Sequence, residues 1–351
     1  MSTKSISSII NKAIKDRIFP GCVIGIIDEP EGKREILTFG RFKYGRNSEQ
    51  ITPHSIFDVA SITKVIPTSS LALTLIDRNI INIDEKVSHW IPEMSGKYKN
   101  EITLFHLLTH TLHYNFSLSS LKQNRPEIIL NKIFSAELQS PPGKKFFYCN
   151  TTSILLGLII ERILNKKLYE LASEYFFKPL VMNNTKFWNE GYLKKKTVPT
   201  EIDSWRQRII QGEVHDESAW VLSRIMTAGS AGLFSTAEDL LIFLKMLLNN
   251  GIYNNKRYFT KELLDLIAEN QIAEIEECTG LGWELNQRRY MGNTCSKKTI
   301  GKTGFTGCVI ICDLEKKKGL VLLSNYTWPQ RKRNASAINA VRKSIAEIVF
   351  M

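Results

Sequence analysis

The sequence predicts a mixed α/β fold of the α+β type, with an antiparallel sheet flanked by N- and C-terminal helices and a mostly helical domain inserted between the chain ends. Helix and strand spacings of apolar residues occur together at both ends of the chain, whereas most of the middle shows helical spacing. The 351 residues are 43% hydrophobic and 23% charged, which is the composition of a globular protein with a substantial core.

The N-terminal part is predicted as one helix followed by two strands. Apolar residues recur at helical spacing between residues 5 and 18. Two apolar runs of β type follow at 22–27 and 35–39, and the turn-rich segment 28–33 separates them. The chain therefore opens in the order helix, strand, strand.

The middle of the chain is predicted to be mainly helical up to about residue 177 and irregular over 180–225. We expect Pro67 to kink the first helix, because a proline inside a helix removes a backbone hydrogen bond. The Pro-Pro-Gly sequence at 141–143 indicates a turn before the last helix. The predicted helices span 61–79, 103–113, 126–136 and 150–165.

The C-terminal part returns to mixed structure. Ser235-Thr-Ala-Glu238 is typical of a capping box in front of a helix at 240–248. Strands at 308–314 and 319–324 are predicted to form a hairpin, and a helix at 334–349 closes the chain. We expect a mixed domain from 1–60 and 228–351, a mostly helical domain from 61–227, and an active site in the cleft between them.

The charge distribution favours a solvated basic surface over a nucleic-acid site. Lys and Arg number 47 and Asp and Glu 35, which gives a net charge of +12. The excess is spread over short runs, and no predicted helix has a basic face interleaved with aromatic residues. We therefore expect no nucleic-acid partner.

The location is predicted from the N-terminus, the apolar segments and the cysteines. The first twelve residues lack the apolar block of a secretory signal, and the most apolar stretch, 154–160, is far too short to span a bilayer. The six cysteines form no C-x-x-C pair, which suits reduced thiols. These features predict a cytoplasmic protein without a membrane span, and they indicate no particular oligomeric state.

The strongest chemical signal is Ser61-Ile-Thr-Lys64 at the start of the predicted helix 61–79. Three residues make about one helical turn, so the Ser61 hydroxyl and the Lys64 amine share a face. A neutral amine in that place can take the hydroxyl proton and activate the serine as a nucleophile. Taken alone, the same spacing also occurs on exposed helices that have no such role.

Two later segments, Tyr148-Cys-Asn150 and Lys302-Thr-Gly304, strengthen the hypothesis. Ser-x-x-Lys, Tyr-x-Asn and Lys-Thr-Gly in this order resemble the serine β-lactamase and penicillin-binding protein superfamily. The flanking sequences resemble its branch of class C β-lactamases, D-Ala-D-Ala carboxypeptidases and β-lactamase-like esterases. The resemblance implies the β-lactamase/transpeptidase fold. The flanks that carry it are 57–64, 102–111, 141–161 and 231–240.

The resemblance also implies a role for each residue of the three motifs. Ser61 would be the acylated nucleophile, with Lys64 and Tyr148 sharing the role of general base. Asn150 would orient Lys64 and the substrate. The positive charge of Lys302 would favour the Tyr148 phenolate and attract a substrate carboxylate. The strand segment would supply further binding groups: a hydroxyl from Thr303, the motif glycine Gly304, and an oxyanion hole from the N–H groups of Ser61 and Phe305.

Two segments depart from the family pattern or have no assigned role. Leu112-His113 stands where the family usually has Ser-Gly, which leaves the end of the preceding helix open. His215 and Asp216 resemble a subfamily segment of unassigned role, and we interpret them as loop structure. Close relatives often carry histidine in place of Lys302, so the lysine favours anionic substrates here.

Other site types fit the residues less well. Gly301-Lys-Thr303 lacks the earlier glycine of a P-loop and precedes an apolar strand. The segment 228–232 lacks the strand-to-helix turn of a nucleophile elbow. His106, His110 and His113 share a predicted helical face that suits zinc, but core or capping roles are favoured. We expect neither a metal nor another cofactor.

The predicted function is a serine hydrolase that forms an acyl-serine intermediate on esters, amides or small D-amino-acid peptides. A β-lactamase or D-Ala-D-Ala carboxypeptidase proper is the alternative activity. A non-catalytic penicillin-binding or sensor module is the alternative of another class, because a fold does not determine a function. The expected partner is a small-molecule or peptide substrate.

Overall fold

The computed structural model describes residues 3–188, 196–275, 277–332 and 334–351. Within these ranges the strands are β1 (Gly21–Asp28), β2 (Lys33–Gly40), β3 (Phe57–Asp58), β4 (Lys186–Phe187), β5 (Glu201–Asp203), β6 (Arg208–Ile210), β7 (Leu233–Ser235), β8 (Ile252–Tyr253), β9 (Lys256–Arg257), β10 (Glu284–Leu285), β11 (Thr299–Thr303), β12 (Val309–Asp313) and β13 (Lys318–Ser324).

The α-helices of the described residues are distributed along the whole chain. They are α1 (Thr3–Lys15), α2 (Ser70–Asp77), α3 (Val87–Trp90), α4 (Leu104–Leu108), α5 (Pro126–Phe134), α6 (Asn150–Leu164), α7 (Leu168–Ala172), α8 (Glu217–Leu222), α9 (Ala237–Leu248), α10 (Lys261–Ile267), α11 (Arg288–Met291) and α12 (Ser336–Val349).

A six-stranded antiparallel sheet joins the two ends of the chain. Its strand order is β10-β11-β12-β13-β1-β2. The N-terminal strand β1 pairs with the C-terminal strand β13, from Cys22 opposite Ser324 to Asp28 opposite Lys318. This pairing confirms the predicted fold class, in which the two termini build one antiparallel sheet.

Helices cover both faces of the sheet, which explains why every residue of β1 is buried. Cys22, Ile24 and Ile26 of β1 belong to the apolar cluster formed with α1 and α12. The residues between them face α9. Gly25 lies at a close approach to this helix, because a Cβ there would come within 2.9 Å of Leu241 Cδ1. A strand covered on both sides lacks the alternation of polar and apolar residues that marks a half-exposed strand.

The segment between the strands of the sheet folds mainly into helices around α6. Most of α6 is buried, and α4, α3, α2 and α7 contact it. Its apolar side chains belong to the same cluster as the α9 face of the sheet. The helical part and the sheet therefore share a continuous core.

The predicted helix 61–79 is wrong in its first half. Ala60–Lys64 forms a 3₁₀ turn, Val65–Ser69 forms a wider turn, and the regular helix begins only at Ser70. Ile66 has non-helical backbone angles of φ −120° and ψ 107°. Since the residue before a proline is disfavoured in the helical region, Pro67 accounts for this break. Ser61 and Lys64 still share a face, because a 3₁₀ helix has about three residues per turn.

Three other boundaries differ from the sequence prediction. The segment predicted as irregular holds the β5–β6 hairpin and α8, although residues 189–195 lie outside the described residues. The capping box at Ser235 is wrong by one residue: Thr236 is the N-cap, and its hydroxyl accepts the Asp239 N–H at 3.3 Å. The helix predicted over 103–113 ends at Leu108. These boundaries depend on backbone hydrogen bonds, such as those between β5 and β6, which the spacing of apolar residues does not show.

Among the described residues, the helices are all too short or too polar to cross a membrane.

Candidate active site

The turn that carries Ser61 is held by the buried carboxylate of Asp58. Ala60 has a φ of 48°, in the left-handed region that residues other than glycine rarely adopt. Asp58 Oδ1 accepts the Ala60 N–H at 2.8 Å, and Asp58 Oδ2 accepts the His215 N–H at 2.7 Å. The strained backbone immediately before Ser61 is therefore fixed by a side chain of the preceding strand.

The Lys64 amine makes hydrogen bonds to three oxygens. Its Nζ lies 3.1 Å from Ser61 Oγ, 2.8 Å from Asn150 Oδ1 and 2.9 Å from the Ser230 carbonyl oxygen. The amide and the carbonyl oxygens can only accept, so each takes an N–H. In the neutral amine these two bonds use both hydrogens, so the lone pair is free to accept from the Ser61 hydroxyl. A neutral amine in this place can accept the Ser61 proton.

Tyr148 lies between the two lysines of the motifs. Lys302 Nζ is 4.1 Å and Lys64 Nζ is 5.3 Å from the centroid of its ring. Exclusion of water from the hydroxyl raises the pKa of Tyr148, but the positive charges of Lys302 and Lys64 outweigh this effect. The pKa of Tyr148 therefore lies below its ordinary value of 10.0.

The buried Lys302 is paired with a carboxylate that the motif did not reveal. Its Nζ donates to Glu284 Oε1 at 2.7 Å across the β10–β11 edge of the sheet. Burial lowers the pKa of Lys302, but Glu284 and Tyr148 outweigh this and raise it, so the ammonium stays charged. Glu284 Oε2 accepts the hydroxyl of Tyr290 at 2.7 Å, which satisfies its second oxygen. The positive charge of Lys302 therefore interacts with both Tyr148 and the Glu284 carboxylate.

Beside Ser61, the part of the chain that the structure describes offers no acceptor to two backbone N–H groups, those of Ser61 and Phe305. The Ser61 N–H precedes the first helical bond of its turn, from the Ile62 N–H to the Val59 carbonyl at 3.1 Å. The Phe305 N–H follows β11 and bonds to no acceptor among the described residues. Gly304 lets the two segments meet, since a Cβ there would lie 2.5 Å from the Val59 carbonyl oxygen. Both donors are available for an oxyanion.

A cavity of about 360 Å³ opens in front of Ser61. Of the residues that the sequence analysis selected, it is lined by Ser61, Tyr148, Asn150, Thr303, Gly304 and Phe305. Lys64 and Lys302 are buried behind this surface and reach it through Ser61 and Tyr148. The basic residues Lys332 and Arg342 also line the cavity, and so does the acidic residue Asp216.

Four residues at this site were missed by the sequence analysis or were read as something else. Asp58 and Glu284 lie outside every motif, so spacing gave no signal for them. Ser230 was considered only as part of a nucleophile elbow, but its carbonyl binds Lys64 and its buried hydroxyl has no partner among the described residues. Asp216 was read as loop structure, yet it lines the cavity and accepts a hydrogen bond from Asn150.

The histidines considered as zinc ligands have structural partners. His106 Nδ1 accepts the Thr103 N–H at 3.0 Å and so caps the start of α4. His110 packs on Tyr148 at 5.0 Å between ring centroids and bonds to Thr152. Burial, then the charges of Lys302 and Lys64, lower the pKa of His110 well below its usual value, so its ring is neutral. His110 also has a φ of 54°, so it takes the left-handed position for which a glycine at 112–113 was considered.

An ion network lies behind Phe305 and the turn that carries Ser61. The His215 ring stacks on Phe305 at 5.5 Å, and its Nε2 lies 2.8 Å from Glu201 Oε2. Arg331 Nη2 donates to the same oxygen at 2.6 Å and Nη1 to Glu217 at 2.9 Å. Burial raises the pKa of Glu201, but the hydrogen bonds from His215 and Arg331 outweigh it and lower the pKa to about 2.

Replacing Glu201 by glutamine is expected to destabilise the protein at neutral pH by about 2–3 kcal/mol. Above pH 4.5, the usual pKa of this carboxyl, the folded-state interaction contributes fully. As the pH falls from 4.5 to about 2, the unfolded chain takes up the proton first, so the contribution is lost over that range. Urea unfolding of both proteins at several pH values measures the difference.

The control for this prediction is an exposed ion pair. Asp16, the residue after the end of α1, accepts from Lys12 at 2.7 Å on the surface, and Asp16→Asn is expected to change the free energy of unfolding by no more than about 0.5 kcal/mol. If Glu201→Gln were as small in its effect, or did not depend on pH, the network would contribute nothing to stability.

The amino-acid sequence of the chain is similar to those of known proteins. The Beta-lactamase family profile matches residues 8–343. An N-acetylmuramyl-L-alanine amidase of Bacillus subtilis (strain 168) is 28% identical over 347 residues, covering 88% of this chain and 77% of the relative. A putative D-alanyl-D-alanine carboxypeptidase of Salmonella typhimurium is 28% identical over 307 residues, covering 78% and 70%.

Solved structures share the fold over nearly the whole chain. The octameric penicillin-binding protein homologue from Pyrococcus abyssi superposes with a TM-score of 0.75 at 22% identity, over 99% of this chain and 79% of that one. EstCE1, a hydrolase with promiscuous acyltransferase activity, also gives a TM-score of 0.75, at 18% identity and 97% coverage of both chains. At these identities the likeness establishes the fold alone.

Proposed function

The chain belongs to the Beta-lactamase family, and from this we propose that it is a serine hydrolase that cleaves esters or short D-amino-acid peptides through an acyl-Ser61 intermediate. In this proposal the substrate lies in a cleft between the two predicted domains. Ser61, Tyr148 and Asn150 come from 61–227, and Thr303 and Phe305 come from 228–351.

The observation that carries the proposal is the contact between Lys64 and Ser61. The amine lies 3.1 Å from the hydroxyl oxygen, while Asn150 and Ser230 hold its other hydrogens. A lysine that only stabilised the fold would not need a solvent-facing serine as its third partner. Proton transfer requires this distance and direction between the base and the group that it deprotonates.

The reaction proceeds by acylation and deacylation. As Ser61 Oγ attacks the substrate carbonyl carbon, its proton passes to the base formed by Lys64 and Tyr148. The carbonyl oxygen becomes an oxyanion that the Ser61 and Phe305 N–H groups stabilise. The same proton then goes to the leaving alcohol or amine as the carbonyl bond to it breaks. In the second half, water attacks the acyl carbon and gives a proton to the base. The base returns this proton to Ser61 Oγ as the bond from Oγ to the acyl carbon breaks, which releases the acid and free Ser61.

The charges around the cavity support a substrate with a carboxylate. Lys302 alone is a weak argument for it, because Glu284 offsets much of its charge. Arg342 lines the cavity and bonds only to carbonyl and amide oxygens among the described residues, at Gly304, Cys308 and Asn339. Burial lowers the pKa of Arg342 to about 10, which leaves it charged at neutral pH. Among the proposed substrates, the Arg342 charge therefore favours D-amino-acid peptides that end in a free carboxylate, such as D-Ala-D-Ala.

A panel of substrates at matched concentration tests the proposal. It contains p-nitrophenyl acetate and butyrate, N-acylated D-Ala-D-Ala and nitrocefin. We expect the best ester or D-peptide to exceed nitrocefin in kcat/KM by at least about tenfold, with slow acylation by penicillin. A nitrocefin rate far above all others would instead indicate a β-lactamase. Stoichiometric penicillin labelling without turnover would indicate a sensor or binding module.

A further inference from the structure

The Asn150 amide connects Lys64 to a residue that the proposed reaction does not yet use. Asn150 is the first residue of α6, and its Oδ1 accepts from Lys64 Nζ at 2.8 Å. On its other side, Asn150 Nδ2 donates to Asp216 Oδ2 at 2.9 Å. The half-buried Asp216 side chain lies beside the same cavity.

Only one orientation of the Asn150 amide satisfies both neighbours. An ammonium or amine N–H of Lys64 requires an acceptor, whereas the carboxylate of Asp216 requires a donor. Turning the amide over would place its NH₂ against the Lys64 N–H groups and its oxygen against the carboxylate. Asp216 therefore selects the orientation that presents an oxygen to Lys64.

Asp216 is itself held by the start of α8. Its Oδ1 accepts the Ala219 N–H at 2.8 Å and the Ser218 hydroxyl at 2.6 Å, which makes it the N-cap of that helix. The preceding residue, His215, donates its N–H to Asp58, which fixes the backbone before Ser61. The consecutive residues His215 and Asp216 are therefore connected to both sides of the site. His215 bonds to the Asp58 carboxylate that holds the Ser61 turn, and Asp216 bonds to the Asn150 amide that contacts Lys64.

We propose that Asp216 is a positioning residue for the general base: it holds the Asn150 amide so that its oxygen fixes Lys64 toward Ser61. This inference rests on the proposed function, in which Lys64 takes the Ser61 proton. Asp216 does not touch the reacting atoms. Its effect reaches Ser61 through two hydrogen bonds, from Asp216 to Asn150 and from Asn150 to Lys64.

Asp216→Asn separates the positioning role from the capping role. The oxygen of the new side chain can still accept from Ala219 and Ser218 and cap α8, which leaves its NH₂ facing the NH₂ of Asn150. Two donors then oppose each other, so Asn150 turns over or moves away and Lys64 loses an acceptor. We expect kcat/KM to fall by about 10- to 100-fold with the melting temperature retained within a few degrees.

The control is Ser218→Ala, which removes one of the two other hydrogen bonds to the Asp216 side chain and leaves Asn150 untouched. We expect it to change kcat/KM by no more than about twofold. A double-mutant cycle with Asn150→Ala tests the route of the effect. If Asp216 acts through Asn150, Asp216→Asn adds no more than about threefold to the loss already caused by Asn150→Ala. Full additivity would overturn the proposal.

Two readouts distinguish failure of the inference from failure of the proposed function. The ¹H–¹⁵N resonances of the Asn150 side-chain amide, assigned with Asn150→Ala, should move in Asp216→Asn and stay in place in Ser218→Ala. If wild type and Ser61→Ala are equally inert on every substrate, the hydrolase function is wrong. In that case the resonances alone decide whether Asp216 determines the orientation of the Asn150 amide. If wild type is active and Asp216→Asn matches it, or the resonances do not move, the positioning role is wrong.

Discussion

Replacing Ser61 by alanine is expected to lower kcat/KM for the best ester or D-peptide by at least about 10⁴-fold. The variant removes the oxygen to which the acyl group is transferred, and neither Lys64 nor Tyr148 can supply a second nucleophile with the same surroundings. Any remaining activity comes from substrate binding and from the oxyanion donors, which are backbone N–H groups and are still present in the variant. Steady-state rates measured on freshly purified protein give the comparison.

The fold of this variant should be intact. The hydroxyl of Ser61 bonds to Lys64 and takes no part in the backbone bonds of its turn. A melting temperature within a few degrees of wild type would show that the lost rate belongs to the hydroxyl. A folded Ser61→Ala protein that kept more than about a tenth of the wild-type rate would exclude acyl-Ser61 chemistry.

Replacing Tyr148 by phenylalanine is expected to lower kcat/KM by about 10²- to 10⁴-fold, the range of a lost acid–base group. The pKa of Tyr148 lies below 10.0 because the charges of Lys302 and Lys64 outweigh the exclusion of water from its hydroxyl. If the phenolate is the active form, wild-type activity rises with pH through that lowered pKa. The rise should disappear in Tyr148→Phe, and a pH series of kcat/KM for both proteins measures it.

Tyr114→Phe is the matched control. The Tyr114 hydroxyl is buried and has no hydrogen-bond partner among the described residues, so its loss should change kcat/KM by no more than about twofold. If Tyr148→Phe retained wild-type activity, or lost activity without any change in its pH profile, Lys64 would act as base alone and Tyr148 would serve only to shape the cavity.

The fold class could be predicted because apolar spacing at the chain ends indicates strands and helices directly. Val309–Asp313 and Lys318–Ser324 form the hairpin expected there, and Ser336–Val349 forms the closing helix within two residues. The pairing of β1 with β13 is a contact between residues some 300 positions apart. Spacing within one segment carries no information about such a partner, and the sequence pattern predicted only that the two ends of the chain build one mixed domain.

The sequence predicted the wrong type or bounds of an element where tertiary contacts override local conformational preference. Helical spacing over 61–79 is real, but Pro67 and the hydrogen bonds of Asp58 impose a 3₁₀ turn on its start. The hairpin at 201–210 has short strands, and Asp203 at the end of its first strand accepts from Arg206 in the turn, a contact that no periodicity reveals.

The residues proposed for the reaction were predictable because they lie in three motifs, whereas their supporting residues do not. Ser61 and Lys64 are one turn apart, so their contact follows from spacing. Glu284, by contrast, meets Lys302 only because β10 and β11 are neighbours in the sheet. Asp216 was visible in the sequence, but its bond to Asn150 joins residues 66 positions apart. Partners of this kind can be found only once the chain is folded.

The central claim is that substrate acyl groups are carried on the Ser61 oxygen, and mass spectrometry of acid-quenched protein tests it directly. The protein is mixed with penicillin or a slow aryl ester, quenched during turnover, and its intact mass and proteolytic peptides are measured. We predict an added mass equal to the acyl group, on the peptide that contains Ser61, and its absence from Ser61→Ala. Turnover without any adduct, or with an adduct on another residue, would contradict the account.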